Sequence, residues 1–385
     1  MSNLSISTVQ ASVLHGIKDL RVETRQLPPP GPKEVQVAVQ TTGLCGSDLH
    51  YFGHYRNGDI IVKEPMTLGH ESAGTVVAVG PQVSNLKVGD QVALEVGQPC
   101  GNCERCQEGR YNICKEMRFR SSAKSFPHFQ GTLQERINQS ADWCYKLPPT
   151  VPLELGALLE PLSVAMHGSK RAALKPQSKA LIFGAGAVGL LCAAMCKVNK
   201  AKVVFIADIQ PDRVKFAIDH GFADGGIVVP MERHEKIEDK LQFARNLANK
   251  AAKEIIPSME RQEELGEVDA VFECTGVESC LQTAIYATRP GGKIMMIGMG
   301  NPIQTLPISA AALREVDLIG VFRYANTYEE AIKLVSSGNE DLPDLTSLIT
   351  QRYRGLENIP KAFETAAKVK DDNGNLVLKV LVDMK

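Results

Sequence analysis

The run Lys179-Ala-Leu-Ile-Phe-Gly-Ala-Gly-Ala-Val-Gly189 decides the fold, because an apolar stretch of strand length leads into a G-x-G-x-x-G turn and a helical pattern continues to Val198. Glycine-rich hexamers are common, but one between a strand and a helix is typical of dinucleotide-binding folds. There Gly184 permits the tight turn, Gly186 lets the backbone approach a pyrophosphate, and Gly189 lets the helix pack on the strand. The phosphates would lie at the helix N-terminus. The stretch therefore predicts a dinucleotide site.

The end of the next strand indicates which dinucleotide is bound. Val203-Val-Phe-Ile-Ala207 is followed by Asp208, about 20 residues after the glycine turn, where an acid is expected to accept hydrogen bonds from ribose hydroxyls. Its carboxylate would repel a 2′-phosphate, so we predict NAD rather than NADP. Arg213 is close enough in sequence to contact the adenosine end, which weakens this preference slightly.

The region from about residue 155 to 322 alternates strands with helices. Four apolar runs of strand length are Lys179–Phe183, Val203–Ala207, Val268–Phe272 and Lys293–Ile297. The segments with helical spacing are Val188–Val198, Pro211–Asp219 and Glu278–Ala287. Continuous apolar strands that alternate with helices predict an α/β fold with a doubly wound parallel sheet.

The flanking regions predict a second, irregular β domain. Residues 9–146 contain short β-rich runs separated by glycine, proline and charged turns, and the last 60 or so residues offer a helix at Tyr328–Ser336 and an apolar run at Leu376–Val382. We therefore predict a catalytic domain over 1–167 that is rejoined by 324–385, and a coenzyme domain over 168–323. A charged insertion at about 231–265 has the spacing of an amphipathic surface helix.

Four of the ten cysteines lie in one short segment with the spacing C-x2-C-x2-C-x7-C: Cys100, Cys103, Cys106 and Cys114. Four thiolates fill a tetrahedral coordination sphere and leave no position for substrate, so we predict a structural zinc. An iron–sulphur cluster is the chemical competitor, but nothing else in the sequence calls for electron transfer.

A different ligand set is spread over three turns. Cys45 lies in Gly43-Leu-Cys-Gly-Ser-Asp48, His70 and Glu71 follow Gly69, and Glu160 precedes a proline. Each residue alone is a weak signal, since a lone cysteine is more often a core residue than a ligand. Cysteine, histidine and carboxylate with one open position are typical of catalytic zinc. Together with the dinucleotide site they indicate zinc-assisted hydride transfer.

The composition excludes several other classes of protein. Forty-three basic and forty-four acidic residues give a net charge of −1, without the basic excess that nucleic acid or an anionic membrane requires. No run approaches the roughly 18–20 apolar residues of a membrane span. The first residues lack the basic start and apolar core of a secretory signal. We therefore expect a cytoplasmic protein with reduced thiols.

Gly69-His-Glu-x2-Gly74-x5-Gly80-x2-Val83 resembles the zinc signature of the medium-chain dehydrogenase/reductase family, and the cysteine segment and the glycine turn follow in that family's order. Finer motifs resemble its polyol branch, the sorbitol (L-iditol 2-) dehydrogenases and their fungal L-arabinitol and xylitol relatives. These motifs are Cys45-Gly-Ser-Asp-x-His-Tyr51, Leu159-Glu-Pro-Leu-Ser-Val164, Glu273-Cys-Thr-Gly276, Arg314-Glu-Val-Asp317 and Val321-Phe-Arg-Tyr324. The resemblance implies a GroES-like β domain, a Rossmann coenzyme domain and a homotetramer.

The resemblance also implies roles for individual residues. Cys45, His70 and Glu71 would bind the catalytic zinc, and Glu160 would reach it directly or through water. The polyol would contact Tyr51, Glu160, Arg323 and Tyr324. Besides the glycines, NAD would contact Val188, Asp208, Arg213, Thr275, Ile297, Gly298, Met299, Val321, Phe322 and Arg323.

The expected reaction is NAD+-linked oxidation of a secondary alcohol of a sugar alcohol (D-sorbitol, xylitol or L-arabinitol) to the ketose, with two zinc ions per chain. Glu160 and a relay through Ser47 or His50 are expected to carry the proton outward, although His50 as a simple packing residue fits nearly as well. The alternatives are a threonine or small-diol dehydrogenase and an inactive relative that keeps the fold. Since sugar alcohols with five and six carbons differ by one CHOH group, the sequence does not name the polyol.

Overall fold

The computed structural model describes residues 6–256 and 263–384. Contacts divide the chain into two compact units. Unit 1 comprises Met1–Glu160, Ala325–Ser337 and Leu345–Lys385, and unit 2 comprises Pro161–Tyr324 and Gly338–Asp344. The domain boundaries expected from the sequence, 167/168 and 323/324, stay a prediction, because a compact unit is not by itself an independently folding domain.

The first half of unit 1 consists mainly of short strands. In chain order these are β1 Ser7–Gly16, β2 Asp19–Leu27, β3 Glu34–Gly43, β4 Arg56–Asn57, β5 Ile60–Ile61, β6 Met66–Thr67, β7 Glu71–Val79, β8 Gln91–Leu94, β9 Gly97–Gln98, β10 Arg118–Phe119, β11 Arg136–Ser140 and β12 Cys144–Lys146. Two helices lie among them, α1 Gly46–His54 and α2 Glu104–Gln107. The helix α3, Leu153–Ala172, contains the boundary between the units.

Unit 2 contains a six-stranded parallel sheet. Its strands are β13 Lys179–Phe183, β14 Val203–Asp208, β15 Gly225–Val228, β16 Val268–Glu273, β17 Thr288–Met296 and β18 Asp317–Gly320, in the spatial order β15-β14-β13-β16-β17-β18. Its helices are α4 Ala187–Val198, α5 Pro211–Asp219, α6 Ile237–Ala252, α7 Glu278–Ala287 and α8 Ile308–Ala312. The order changes direction at β13, so the carboxyl ends of β13 and β16 flank a switch point, where such sheets bind ligands. The predicted doubly wound fold is confirmed.

The insertion contains the helix α6, as its spacing predicts. Ala244, Leu247, Ala248 and Ala251 are buried on one face. Across the contact with α7, Lys240 Nζ lies 3.0 Å from Glu278 Oε1 and the Arg245 guanidinium lies 5.0 Å from the centre of the Tyr286 ring. Residues 257–262 of the insertion lie outside the described residues.

The end of the chain returns to the sheet of unit 1. It contains α9 Tyr328–Ser336, β19 Ile349–Arg354, α10 Ile359–Ala366 and β20 Lys379–Asp383. The main sheet runs β12-β8-β7-β3-β20-β19, and β11 also pairs with β3. The C-terminal strand β20 therefore lies directly beside β3, which leads to Cys45. In the described part of the chain, no helix has the length and apolar character needed to cross a bilayer.

Candidate active site

Strand pairing brings Cys45, His70 and Glu71 together. Gly43, the last residue of β3, is paired with Glu71, the first residue of β7. Cys45 follows β3 as the N-cap residue of α1, and His70 directly precedes β7. One ligand atom from each of the three residues lies within 4.8 Å of the other two. The predicted constellation is therefore assembled by the backbone of unit 1.

Asp48 orients the imidazole of His70. Its Oδ1 lies 3.2 Å from His70 Nδ1 and accepts hydrogen bonds from Ser121 Oγ at 2.5 Å and Gly69 N at 3.2 Å. Burial alone would raise the pKa of this carboxyl, but the charge of His70 and these donors lower it. An acid on one ring nitrogen fixes the ring and leaves the other nitrogen for a metal. The sequence analysis missed this role, although Asp48 lies in the turn that singled out Cys45.

The surroundings of His70 favour positive charge. Burial disfavours the charged ring, but Asp48 and Cys45 together raise the pKa of His70 well above its ordinary value. Ser47 Oγ lies 3.5 Å from Nε2, the nitrogen that Asp48 leaves open. Ser47 therefore lies on the side of the ring that a metal would occupy.

Glu160 and Tyr51, two other predicted contacts, are both buried in unit 1. Glu160 lies in α3 and does not belong to the group of three ligands, but its charge raises the pKa of Lys379, which contacts that group. The Tyr51 hydroxyl accepts a hydrogen bond from Ala123 N at 3.2 Å. The roles of both residues toward zinc and substrate stay predictions.

Lys379 is the second residue that the sequence analysis missed. Its Nζ lies 2.8 and 2.7 Å from the two carboxylate oxygens of Glu71, and all of these atoms are buried. Burial lowers the pKa of this amine, but the charges of Glu71, Cys45 and Glu160 raise it above its usual value. A lysine inside the apolar run Leu376–Val382 was the available signal, but its partner lies 308 residues away in the sequence.

The donor set fits a catalytic zinc better than a structural one. A thiolate, an imidazole and a carboxylate supply three of the four positions of a tetrahedral site, which leaves one for a reacting oxygen. His70 and Glu71 are buried and Cys45 is partly buried, and an acid on the far side of the imidazole is the usual partner of a histidine that binds such an ion.

The cysteine segment forms a second, separate cluster. The four sulphurs lie within 4.8 Å of one another, with Cys103 3.5 Å and Cys100 3.9 Å from Cys106. Four thiolates at the usual zinc–sulphur distance are about 3.8 Å apart. Backbone N–H groups of Asn102 and Cys103 donate to the sulphur of Cys100 and lower its pKa to about 7. The spacing and chemistry of this cluster fit a structural zinc.

The glycine turn of unit 2 has the predicted shape. Gly184 has a φ of +94°, and a Cβ on Gly189 would approach Gly184 O to 1.8 Å, so the helix packs on the strand only without a side chain there. A Cβ on Gly186 would meet nothing within 4 Å. Gly186 is the N-cap residue of α4, so the free space lies where a pyrophosphate would bind.

Asp208 lies against this turn. Its Oδ2 accepts a hydrogen bond from Ala185 N at 2.6 Å, and its Oδ1 accepts one from Gln210 N at 2.8 Å. Each oxygen keeps a further lone pair for a ribose hydroxyl. Val188 and Arg213 lie in the helices that begin beside the same strand ends, α4 and α5.

The remaining predicted coenzyme contacts follow β16, β17 and β18. Thr275 N donates to the buried Glu273 at 2.8 Å, and a Cβ on Gly298 would approach Gly276 N to 2.1 Å, so the turns after β16 and β17 touch. Burial raises the pKa of Glu273. Ile297, Gly298 and Met299 follow β17, and Val321, Phe322, Arg323 and Tyr324 follow β18. Arg323 lies over the Phe322 ring at 4.9 Å, and Tyr324 is buried.

Comparison with known proteins identifies the family. Residues 31–149 match the alcohol dehydrogenase GroES-like domain, and residues 187–337 match the zinc-binding dehydrogenase domain. Sorbitol dehydrogenase of Gallus gallus is 40% identical over 93% of both chains. The chain belongs to the zinc-dependent medium-chain dehydrogenase/reductase family. It is sorbitol dehydrogenase-like and an oxidoreductase acting on CH–OH donors, as the signature residues predict.

Solved structures of this dehydrogenase family share the whole fold. L-idonate 5-dehydrogenase of Escherichia coli superposes with a TM-score of 0.82 at 26% identity and covers 100% of both chains. The 2R,3R-butanediol dehydrogenase of Bacillus subtilis superposes with a TM-score of 0.78 at 26% identity, and the match covers 98% of this chain and 100% of that one. The predicted pairing of a GroES-like domain with a Rossmann domain is confirmed.

Proposed function

We propose that the protein is an NAD+-linked polyol dehydrogenase that oxidises a secondary alcohol of a sugar alcohol, such as D-sorbitol, xylitol or L-arabinitol, to the ketose. The observation that carries the proposal is the group of one thiolate, one imidazole and one carboxylate in unit 1, of which the imidazole and the carboxylate are buried and the thiolate is partly buried. Similarity to sorbitol dehydrogenases over nearly the whole chain supports the substrate class.

Zinc held by Cys45, His70 and Glu71 would lower the pKa of a bound alcohol, and NAD+ would accept the hydride from its carbinol carbon. The residues of the chain hold this arrangement and move the proton. Asp48 fixes the ring of His70, and Glu160 with a relay through Ser47, whose Oγ lies beside Nε2, or through the exposed His50 would carry the hydroxyl proton outward. The alcohol thus loses a proton to solvent and a hydride to the coenzyme, which leaves the ketone.

Charge at the end of β14 favours NAD over NADP as the coenzyme. Asp208 places a carboxylate at the carboxyl end of β14, against the turn that would hold the pyrophosphate. A 2′-phosphate beside that carboxylate would be repelled, whereas the free ribose hydroxyls of NAD can donate to it. We therefore propose NAD as the coenzyme and two zinc ions per chain, one in each cluster.

Polar side chains at the predicted substrate positions favour a polyol over a simple alcohol. The resemblance assigns Tyr51, Glu160, Arg323 and Tyr324 to the substrate, and hydroxyl, carboxylate and guanidinium groups suit a chain of hydroxyls better than the apolar body of a simple alcohol. A small diol is the second candidate, because a solved neighbour that covers the whole fold is a butanediol dehydrogenase.

Steady-state kinetics with D-sorbitol, xylitol, L-arabinitol, threonine and 2,3-butanediol separate these candidates. The proposal predicts that kcat/KM is highest for a polyol. Highest activity on threonine or butanediol would keep the zinc and coenzyme argument but reject the polyol site. No turnover of any of them by protein that holds two zinc ions would support an inactive relative instead.

The homotetramer and the cytoplasmic location stay part of the proposal. Light scattering coupled to size-exclusion chromatography tests the first: a mass near four times 41.9 kDa is expected, and a monomer would contradict it. Cell fractionation tests the second.

A further inference from the structure

The ion pair between Lys379 and Glu71 occupies the carboxylate that the proposed zinc site also requires. Lys379 Nζ donates to Glu71 Oε1 at 2.8 Å, to Glu71 Oε2 at 2.7 Å and to Leu44 O at 3.1 Å. The side chains of Lys379 and Glu71 are only 4% and 1% exposed. Both carboxylate oxygens therefore face a fixed ammonium group in a region without bulk water.

Backbone of two paired strands flanks the ion pair. A Cβ on Gly43 would come within 2.3 Å of Glu71 Oε2, so the backbone of β3 closes one side of the carboxylate. Lys379 lies in β20, which is paired with β3 at Leu381 and Gly43. Leu44, whose carbonyl oxygen accepts the third hydrogen bond, immediately precedes Cys45. The ammonium is therefore built into the wall of the cluster.

A buried cation at this place has opposite effects on the two states of the site. Without metal it neutralises a carboxylate that would otherwise be buried without a partner, which is costly. With a divalent ion it competes for the same carboxylate and repels the ion, and in a buried site this repulsion is weakly screened.

We infer that Lys379 is a positioning residue that acts as the internal counter-ion of Glu71, assembling the metal-free site and limiting how tightly the site holds its metal. The inference rests on the proposed function, because it takes Glu71 as a zinc ligand. The inference thus gives the strand β20, which contains Lys379, a role in the proposed zinc site. Since the ammonium shares the negative charge of Glu71, less of that charge would reach the ion, which would keep the metal more electrophilic.

The test compares Lys379→Met with Lys379→Arg, which keeps the charge. Both proteins are prepared with the four-cysteine site filled with zinc and the other site empty, and Co2+ is titrated while the thiolate-to-cobalt absorption of Cys45 is followed. Zinc affinity is then measured by competition with cobalt. Lys379→Met is expected to bind both ions roughly tenfold more tightly or better, and Lys379→Arg to stay near wild type.

Thermal unfolding provides a readout that a purely structural lysine would not give. In Lys379→Met the unfolding temperature of the protein with this site empty should fall further than that of the fully loaded protein. The double variant Lys379→Met/Glu71→Gln removes both charges and should recover part of the loss in the empty form. If the single variant does not fold, the double variant still tests the pairing.

The outcomes distinguish the inference from the proposed function. If wild type binds no cobalt at Cys45, the proposed zinc site is wrong. If wild type binds it but Lys379→Met has unchanged or weaker affinity, the counter-ion role is wrong while the zinc site stands. Equal losses of unfolding temperature in the empty and loaded forms, or no recovery in the double variant, would also overturn the inference.

Discussion

Replacing Glu95 with glutamine should stabilise the protein at pH 8 but change its stability much less at pH 5. Glu95 follows β8 and is only 1% exposed, and the Tyr111 hydroxyl donates to its Oε1 at 2.7 Å. Burial raises the pKa of this carboxyl to about 7, although hydrogen bonds from Tyr111 and Tyr145 oppose the shift. Folding therefore favours the protonated acid.

The size of the stability change follows from the difference between the pKa of Glu95 in the unfolded chain and in the folded protein. The unfolded chain releases this proton near pH 4.5 and the folded protein near pH 7. The contribution of the protonated acid is therefore fully present below pH 4.5 and is lost as the pH rises to about 7. Ionising the buried group costs about 3 kcal/mol in total. Glutamine avoids this cost and still accepts the hydrogen bond from Tyr111, so the variant should gain about 2 kcal/mol over wild type between pH 5 and pH 8.

Urea unfolding at fixed zinc concentration measures this difference. Trp143, the single tryptophan of the chain, has its ring 5.0 Å from that of Tyr111, so its fluorescence reports on this part of unit 1. Glu235→Gln removes an exposed carboxylate and serves as the matched control, with an expected change near zero. A difference between Glu95→Gln and wild type that stays constant from pH 5 to pH 8 would refute the reasoning.

Three further substitutions test the proposed sites. Cys45→Ser should lower turnover by roughly a thousandfold or more. The variant should lose one zinc ion but still bind NAD+, as measured by fluorescence titration. Normal turnover would contradict the zinc mechanism. Asp208→Asn keeps a hydrogen-bond acceptor but removes the charge, so kcat/KM with NADP+ relative to NAD+ should rise roughly tenfold or more, and an unchanged ratio would reject the role of Asp208. Arg323→Ala should raise the KM for polyols roughly ten- to a hundredfold with kcat less affected; unchanged kinetics would remove Arg323 from the site.

Local patterns were enough to predict most of unit 2. Pro211–Asp219 and Glu278–Ala287 are helices over the residues their spacing indicates, and the glycine turn lies between β13 and α4 as expected. These features depend on neighbouring residues, whose periodicity is visible in the sequence. The strand predicted to begin at Lys293 instead begins at Thr288. Thr288 pairs with Val268 and Lys293 pairs with Ala270, and the irregular register between these two pairs accommodates Pro290 and the two glycines that follow it.

The interactions that hold the proposed metal ligands in place were not predictable in this way. Cys45 and the His70–Glu71 pair were found from their turns, but the partners Asp48 and Lys379 depend on which strands lie side by side. Lys379 reaches Glu71 only because β20 pairs with β3, although the two residues are 308 positions apart in the sequence. A single sequence shows a charged residue in an apolar strand but not the carboxylate it faces.

The most direct test of the proposed zinc polyol dehydrogenase is the rate of NADH formation from D-sorbitol, xylitol and L-arabinitol. Three samples are compared: zinc-replete protein, protein whose Cys45 site has been emptied with a chelator, and the same protein after zinc is restored. Metal content is measured on each sample. The proposal predicts that turnover of at least one polyol is lost with the metal and recovered with it. Undiminished turnover by protein with that site empty, or no polyol turnover by protein holding two zinc ions, would contradict it.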